Sequence, residues 1–300
     1  MDKYLRELQF EKVVNNELMM LKPEHRGILE AYAAGINAYV NSISMLPLEF
    51  WKIGAHFALW TPKDSLMVFK LFSFELSSNW KKTILRTLVK KQMGKEWAER
   101  LFPSNDEFLE EVVTISLEES NETHQVKMET MKAMKDVREE GKTFKIGGRV
   151  AREYMANAWV IHGNFTDIHK PILASDILFE KQVPGIFYLA ALRFPNKDVI
   201  TGGTIVGIPA IFIGRNRDLA WGIAGHTLEN MDVYEVKLDE AKSHYMVNGN
   251  YVPLLDRREE IINVKGGKTI NHVVYSTAYG PLIQTLNDLD TIRIPRYVLV

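Results

Sequence analysis

Apolar residues recur every three or four positions through the first hundred residues, which is the spacing of one face of an amphipathic helix. The pattern predicts helices over residues 28 to about 42, 65 to about 88, and 95–101. Thr61, Pro62 and Asp64 predict the start of the second of these helices, because threonine is a preferred N-cap and proline suits the first helical position. The first region of the chain is therefore predicted to be helical.

From Asn157 onward the apolar residues come in short runs separated by Gly, Pro, Asn and Asp, which is typical of strands. The predicted strands include residues 159–161, 171–174, 187–192, 210–213 and 234–236. Asn248 and Gly249, between apolar residues, predict a tight hairpin. The pattern by itself thus indicates an α+β chain with helices first and a mainly antiparallel sheet system afterwards.

A charged segment separates these two regions. Residues 116–140 are dominated by Glu, Lys, Met and polar residues, which predicts a solvated helix or a partly disordered connector. We therefore divide the chain into a helical region over residues 1–103, a connector over 104–155, and a strand-rich region over 156–300.

The composition of the chain argues against several classes of binding partner and site. The formal net charge of −1 gives no overall field that would attract nucleic acid or an anionic membrane. The absence of cysteine excludes disulfides, thiolate metal sites and a cysteine nucleophile. The first residues are charged and lack the apolar core of a signal peptide, and the longest apolar run, residues 205–213, is interrupted by Gly207 and Pro209. We expect neither a nucleic-acid nor a membrane partner, and the compartment stays open.

Four groups of segments carry a more specific signal. They are residues 29–39 with 46–50 and 60–62; residues 76–80 with 85–86; residues 157–160 with 170–176; and residues 207–209, 214–216, 220–222 and 232–234. The first alone would be an ordinary amphipathic helix. In their order and spacing, however, the four groups resemble the penicillin acylase (penicillin amidase) family of N-terminal-nucleophile hydrolases. Residues 277–281 resemble an element that lies well before the C-terminus of family members, so we expect this chain to be incomplete.

This resemblance implies a fold and a type of chemistry. Residues 1–103 would correspond to the family's α chain, and residues 156–300 to the start of a β chain that forms an αββα sandwich, completed by a missing C-terminal part. In the family a serine attacks the preceding carbonyl, the precursor is cut, and the new N-terminal serine becomes the nucleophile with its own α-amine as base. Backbone N–H groups and an asparagine stabilise the oxyanion.

The resemblance assigns these roles to residues of the chain. Ala156 stands at the nucleophile position, and its methyl group has no lone pair with which to attack. Gly225 would supply an N–H of the oxyanion hole, and Asn157, Leu178 and Ala224 would neighbour the substrate pocket. Leu178 replaces a histidine or glutamine of the family. We therefore expect a chain that is neither self-processed nor active.

The resemblance implies no organic cofactor, but it does imply a structural calcium ion. Carboxylates and carbonyl oxygens are the ligands that this hard cation prefers. Its ligands would be Glu229, the carbonyl of Met231, and Asp232, whereas Thr83 stands where the family has a further glutamate. Loop carboxylates are more often simply solvated, and the threonine weakens the calcium prediction.

Three functional hypotheses remain open. The chain is an inactive homologue; or it is an active hydrolase of linear amides, such as penicillin or acyl-homoserine lactones, in which Ala156 is an artefact or an engineered change; or it is a non-catalytic module that holds a small amide ligand. The first two connect the chain with antibiotic metabolism only through the family. Family members are often periplasmic or secreted.

Overall fold

A computed structural model of the chain describes residues 2–76, 80–102, 113–114, 145–146, 149–150, 155–178, 183, 185–225, 231, 233–284 and 296–299. Its helices precede its strands within these ranges. The helices are α1 (Asp2–Glu7), α2 (Phe10–Met20), α3 (Pro23–Ser42), α4 (Leu48–Ile53), α5 (Pro62–Leu76), α6 (Trp80–Met93) and α7 (Lys95–Leu101). The α+β class predicted from the sequence is therefore confirmed.

The strands form several small sheets, and their bounds are as follows. They are β1 (Val113–Thr114), β2 (Lys145–Ile146), β3 (Arg149–Val150), β4 (Met155–Ile161), β5 (Ile172–Leu178), β6 (Phe187–Arg193), β7 (Val199–Ile205), β8 (Ile211–Arg215), β9 (Ala220–Trp221), β10 (Val233–Val236), β11 (His244–Val247), β12 (Asn250–Pro253), β13 (Asp256–Ile262), β14 (Ile270–Ser276), β15 (Leu282–Ile283) and β16 (Arg296–Leu299). A short 3-10 helix, Gly163–Phe165, lies between β4 and β5.

The predicted helices are present with one difference in detail. The helical pattern over residues 65–88 belongs to two helices, α5 and α6. Helix α5 begins at Pro62 as predicted, but its N-terminal contact is built differently from a simple threonine cap. Both the N–H and the hydroxyl of Thr61 donate to the Asp64 carboxylate, each at 2.7 Å. The acidic residue thus reaches back to the start of the helix, as in a capping box.

Most described strand pairs are antiparallel, as the short, closely spaced runs predict. The order β6-β7-β8-β9 forms one sheet, and β4 pairs with β5, β11 with β12, and β13 with β14. The predicted hairpin at Asn248 and Gly249 connects β11 to β12, and both residues have positive φ, 49° and 82°. Those values suit the type I′ turn that fits the twist of a hairpin. A parallel pair, β1 with β10, belongs to the sheet β1-β10-β16-β15.

The chain divides into two compact units that each draw on separate stretches of sequence. The first unit comprises Met1–Phe10, Ser77–Glu153 and Thr227–Val300, and the second comprises Glu11–Leu76 and Tyr154–His226. The predicted segments 1–103, 104–155 and 156–300 describe regions of sequence rather than packing units, and they stay a prediction. Residues 116–140, predicted to form a solvated helix or a partly disordered connector, lie outside the described residues.

A polar cluster beneath α1 joins the N-terminus to the sheets of the first unit. The Glu7 side chain is fully buried, lies 2.9 Å from His272 Nε2, and accepts the backbone N–H of Gln284 at 2.9 Å. Ser276 donates to the side chain of Gln9 at 2.9 Å. Burial of a carboxylate is tolerated only with such partners, so these bonds fix α1 against β14 and β15.

The core of the second unit includes contacts between α3, α5 and the four-stranded sheet. Phe212 of β8 packs against Phe69 and Phe72 of α5, with ring centroids 6.5 and 6.1 Å apart. Tyr32 of α3 accepts the backbone N–H of Gly207 at 3.1 Å. These contacts hold the four-stranded sheet, whose last strand, β9, leads into the segment that lies beside the candidate site. Across the described residues, none of the helices is long and apolar enough to cross a membrane.

Candidate functional site

Strands β4 and β5 position the residues that the sequence assigned to the nucleophile region. Ala156 lies one residue into β4 and is paired with Ile177 in the antiparallel register, and Asn157 is paired with Asp176. Successive strand residues point to opposite faces, so Ala156, which is partly buried, and Asn157, which is exposed, face opposite sides. Leu178 is the backbone partner of Met155 and thus lies diagonally across from Ala156.

A segment that follows β9 runs beside this position. The backbone N–H of Gly225 donates to the carbonyl of Ala156 at 3.2 Å. A side-chain Cβ placed on Gly225 would lie 3.5 Å from both the Cβ and the N of Ala156. Ala224 is exposed next to it. The structure therefore brings together two residues, Ala156 and Gly225, that are far apart in sequence and that the sequence analysis placed in one site.

A clamp between Ser175 and the segment 222–223 fixes this arrangement. The Ser175 hydroxyl donates to the Ile223 carbonyl at 3.2 Å and accepts the Ile223 N–H at 3.1 Å. A Cβ on Gly222 would lie only 2.4 Å from the Ser175 Cβ, so this close approach requires glycine. Sequence reasoning missed this clamp. Both residues belong to the segments that carry the resemblance, but no spacing in the sequence pairs them.

The chemistry available at this position is limited by Ala156 itself. A methyl group holds no lone pair and no transferable proton, so it supports neither nucleophilic attack nor general acid–base catalysis. Ser175 does not replace it, because its hydroxyl both donates to and accepts from the backbone of Ile223. The Gly225 N–H, predicted to stabilise an oxyanion, is engaged with the carbonyl of Ala156. At this position the described residues thus supply a backbone N–H that is already engaged and no nucleophilic side chain.

Comparison with known proteins decides the family. The sequence pattern of the family described as "Penicillin amidase" matches residues 1–298. This chain belongs to the penicillin amidase family. The family resemblance drawn from the four groups of segments is therefore confirmed.

Three curated proteins illustrate the similarity of this family member to known acylases. It is 23% identical to acyl-homoserine lactone acylase QuiP from Pseudomonas aeruginosa, over 95% of this chain and 33% of the relative. It is 25% identical to penicillin G acylase from Escherichia coli, over 95% of this chain and 39% of the relative. It is 26% identical to penicillin acylase 2 proenzyme from Pseudomonas sp. (strain SE83), over 94% of this chain and 36% of the relative. The chain spans about a third of the length of the curated relatives it matches.

Among solved structures, a thermostable penicillin G acylase from Alcaligenes faecalis is similar to part of this family member. The superposition covers 39% of this chain and 20% of that chain, with 24% sequence identity and a TM-score of 0.32. The family assignment rests on the match over residues 1–298 and not on this superposition.

Contacts within the second unit explain several residues of the family segments. Asn37 of α3 forms two hydrogen bonds of 2.8 Å with the backbone of Trp60, one to its carbonyl and one from its N–H. A Cβ on Gly207 would lie 3.2 Å from the Trp60 ring, and the φ of Gly207 is 98°, which favours glycine. The Trp221 indole donates to the Ile211 carbonyl at 3.0 Å. These contacts give the residues a structural role in the second unit.

The predicted calcium ligands of this family member are only partly described. Glu229 and Asp232 lie outside the described residues. Met231 is partly buried, and Thr83 lies on α6 and offers a hydroxyl rather than a carboxylate. Over the described ranges there is no group of three His, Cys, Asp or Glu side chains that could hold a metal ion. The described ligands alone do not fit calcium, which prefers several carboxylate or carbonyl oxygens, and the calcium site stays a prediction.

Proposed function

We propose that this chain is a catalytically silent member of the penicillin amidase family that neither cuts itself nor hydrolyses amides. One observation carries the proposal. The residue beside the Gly225 N–H, on the strand that the family resemblance assigns to the nucleophile, is Ala156, whose methyl group cannot attack a carbonyl. Removing a nucleophile from such a centre typically lowers turnover by about 10⁶.

The names of the relatives suggest which class of ligand this chain would bind. Acyl-homoserine lactone acylases and penicillin acylases are named for substrates that carry an acyl group on an amide nitrogen. We extend to this chain a pocket for a small acyl amide near Asn157, Leu178 and Ala224. Such a pocket, if it binds without reacting, would make the chain an amide-holding module rather than an enzyme.

We also propose that the strands of the second unit belong to the αββα sandwich implied by the family resemblance. Trp159 of β4 is 54% exposed and Leu189 of β6 is 83% exposed. Apolar strand faces of this kind are stabilised when another layer covers them. We assign these faces to the inside of an αββα sandwich, covered by polypeptide that corresponds to the remaining length of the relatives.

Self-processing at this position would need an atom that Ala156 lacks. A hydroxyl introduced by Ala156→Ser would form an oxygen–carbon bond to the Met155 carbonyl while the peptide carbon–nitrogen bond breaks. The result is an ester and a free α-amine. Water then hydrolyses the ester, which leaves the Met155 carboxylate and restores the hydroxyl. The first step, in which the hydroxyl proton passes to the departing nitrogen, requires the side-chain oxygen, so the parent chain cannot enter this reaction sequence.

Intact mass after incubation at neutral pH tests the proposal. We expect the parent chain to stay a single species at 34.4 kDa and to release no product from penicillin G or an acyl-homoserine lactone. The Ala156→Ser variant is compared with Ala158→Ser, which adds the same hydroxyl two residues further along β4, on the same face. Cleavage between positions 155 and 156 in the first variant alone would assign the silence to the missing hydroxyl. A parent chain that splits there, or that hydrolyses either amide, would refute the proposal.

A further inference from the structure

Two turns of the second unit meet at one end of the four-stranded sheet. The turn between β6 and β7 covers residues 194–198, and the turn between β8 and β9 covers residues 216–219. Antiparallel pairing brings them together, because Thr201 near the start of β7 is the register partner of Arg215 at the end of β8. Between the turns lies a surface cleft of about 420 Å³, a size within the usual range of about 300–1,000 Å³ for small-molecule sites.

The lining of this cleft is strongly basic. Lys197, Arg215 and Arg217 contribute three positive charges, and Asp198 contributes one negative charge. In the part of the chain that the structure describes, none of the three cationic groups has a side-chain hydrogen bond or an ion pair. The Asp198 carboxylate instead accepts from the side-chain amide of Asn196 at 2.6 Å. The cleft therefore presents an uncompensated charge that an anion would neutralise.

Hydrogen bonds of Asn216 fix the backbone of the turn between the two arginines and β9. The Asn216 side-chain oxygen accepts the N–H groups of Asp218 at 2.9 Å and Leu219 at 2.7 Å, which fixes the turn directly after Arg215. Arg215 and Arg217 flank this asparagine. Both arginines line the cleft.

Lys197 provides an independent observation. Its φ is 67°, in the left-handed region that favours glycine, and its N–H closes the turn by donating to the Phe194 carbonyl at 3.0 Å. A lysine at this place strains the backbone, whereas glycine would not. The position therefore holds a positive charge at the cleft at a cost in stability, and backbone outliers of this type are found at ligand-binding positions.

We propose that this cleft binds a small multivalent oxyanion, a phosphate group or a compact polycarboxylate, between Arg215, Arg217 and Lys197. Guanidinium groups match the paired oxygens of phosphate and carboxylate with two parallel hydrogen bonds, and an ammonium adds a point charge. Asn196 and Thr201 line the same cleft and make its surface polar. The site is separate from the chemistry assigned to Ala156 and does not depend on it.

Calorimetric titration of the whole chain at constant, low ionic strength tests this site. The probes are inorganic phosphate, glycerol phosphate and citrate, which distinguish a free phosphate, a phosphate ester and a polycarboxylate. We expect saturable binding of at least one probe. The double substitution Arg215→Gln/Arg217→Gln should weaken that binding at least tenfold, because each arginine provides charge-assisted bonds that are about twice as strong as neutral ones. Lys197→Gly should weaken it severalfold while the melting temperature stays equal or rises.

A control for Lys197→Gly removes one positive charge elsewhere. Lys268 is exposed in a loop of the first unit, so Lys268→Gln changes the net charge without touching the cleft. We expect its affinity for each probe to equal that of the parent chain. The proposal is overturned if no probe binds, if the arginine variant binds as tightly as the parent while remaining folded, or if Lys268→Gln loses as much affinity as the cleft variants. Circular dichroism of each variant establishes that it is folded.

Discussion

Gly222→Ala tests whether the clamp to Ser175 positions the segment that runs beside Ala156. The added methyl group would lie 2.4 Å from the Ser175 Cβ and 2.5 Å from its hydroxyl oxygen. At these distances either β5 or the segment 222–223 must move. Overpacking of this kind costs about 1–3 kcal/mol. Each of the two hydrogen bonds to Ile223 that the movement breaks adds about 1 kcal/mol.

The summed destabilisation is therefore about 3–5 kcal/mol. In a chain of this size each kcal/mol lowers the melting temperature by roughly 2–4 °C. Thermal unfolding followed by circular dichroism measures this shift, and hydrogen exchange measures the local effect. The amide of Gly225, which donates to Ala156, should lose its protection when the segment moves.

Two further variants make this test specific. The double substitution Gly222→Ala/Ser175→Gly removes the obstructing side chain and should recover part of the lost stability, although the two hydrogen bonds stay absent. Gly185→Ala is the control, because the nearest atom to its new methyl group would be 3.8 Å away, an ordinary contact. If Gly222→Ala melts like the control and Gly225 stays protected, the clamp does not hold the site and our account of it is wrong.

Two other predictions concern hydrogen bonds outside the clamp. Asn37→Ala removes both bonds to the backbone of Trp60 and should cost about 1–3 kcal/mol in urea unfolding, because partly buried backbone groups lose their partners; an unchanged midpoint would contradict this. The backbone N–H of His244, with further bonds from Ser243, lowers the pKa of Asp239 from 3.8 to about 2. A lowered folded-state pKa adds stability above the unfolded value that is lost as the pH falls from about 4 through 2, and a carboxyl titration by NMR near pH 4 would contradict it.

Strong periodicity made part of the fold predictable. Helix α7 repeats apolar residues at helical spacing and β6 is a continuous apolar run, so both were predicted close to their observed bounds. Helix α3 ends as predicted but begins at Pro23, before its predicted start at residue 28, and α1, α2, α4, β13 and β14 were not predicted. Strand β7 was not predicted, since Gly202 and Gly203 interrupt its apolar pattern. Gly202 is there because a Cβ would lie 2.0 Å from the Ile213 carbonyl oxygen of the neighbouring strand. That requirement comes from pairing with β8 and leaves no local signal.

The candidate site was predictable only through the family resemblance. Nothing in the local pattern around Ala156 or Gly225 indicates chemistry, because alanine and glycine carry no reactive groups. Their adjacency follows from how β4, β5 and the segment after β9 pack, and such packing depends on contacts between distant residues. The clamp of Ser175 against Gly222 shows the same limit, since a small residue and a hydroxyl acquire their role only when the fold brings them together.

The residues that make this chain recognisable as a family member do a different task from the residue that catalysis would need. Asn37 holds Trp60, Gly207 admits the Trp60 ring, and Gly222 admits Ser175. None of these contacts uses the side chain at position 156, so the residue there can change between alanine and serine without loosening the frame. It follows that uncut Ala156→Ser should melt within a degree or two of the parent, because a small change that breaks none of these contacts alters stability by only about 0.5 kcal/mol.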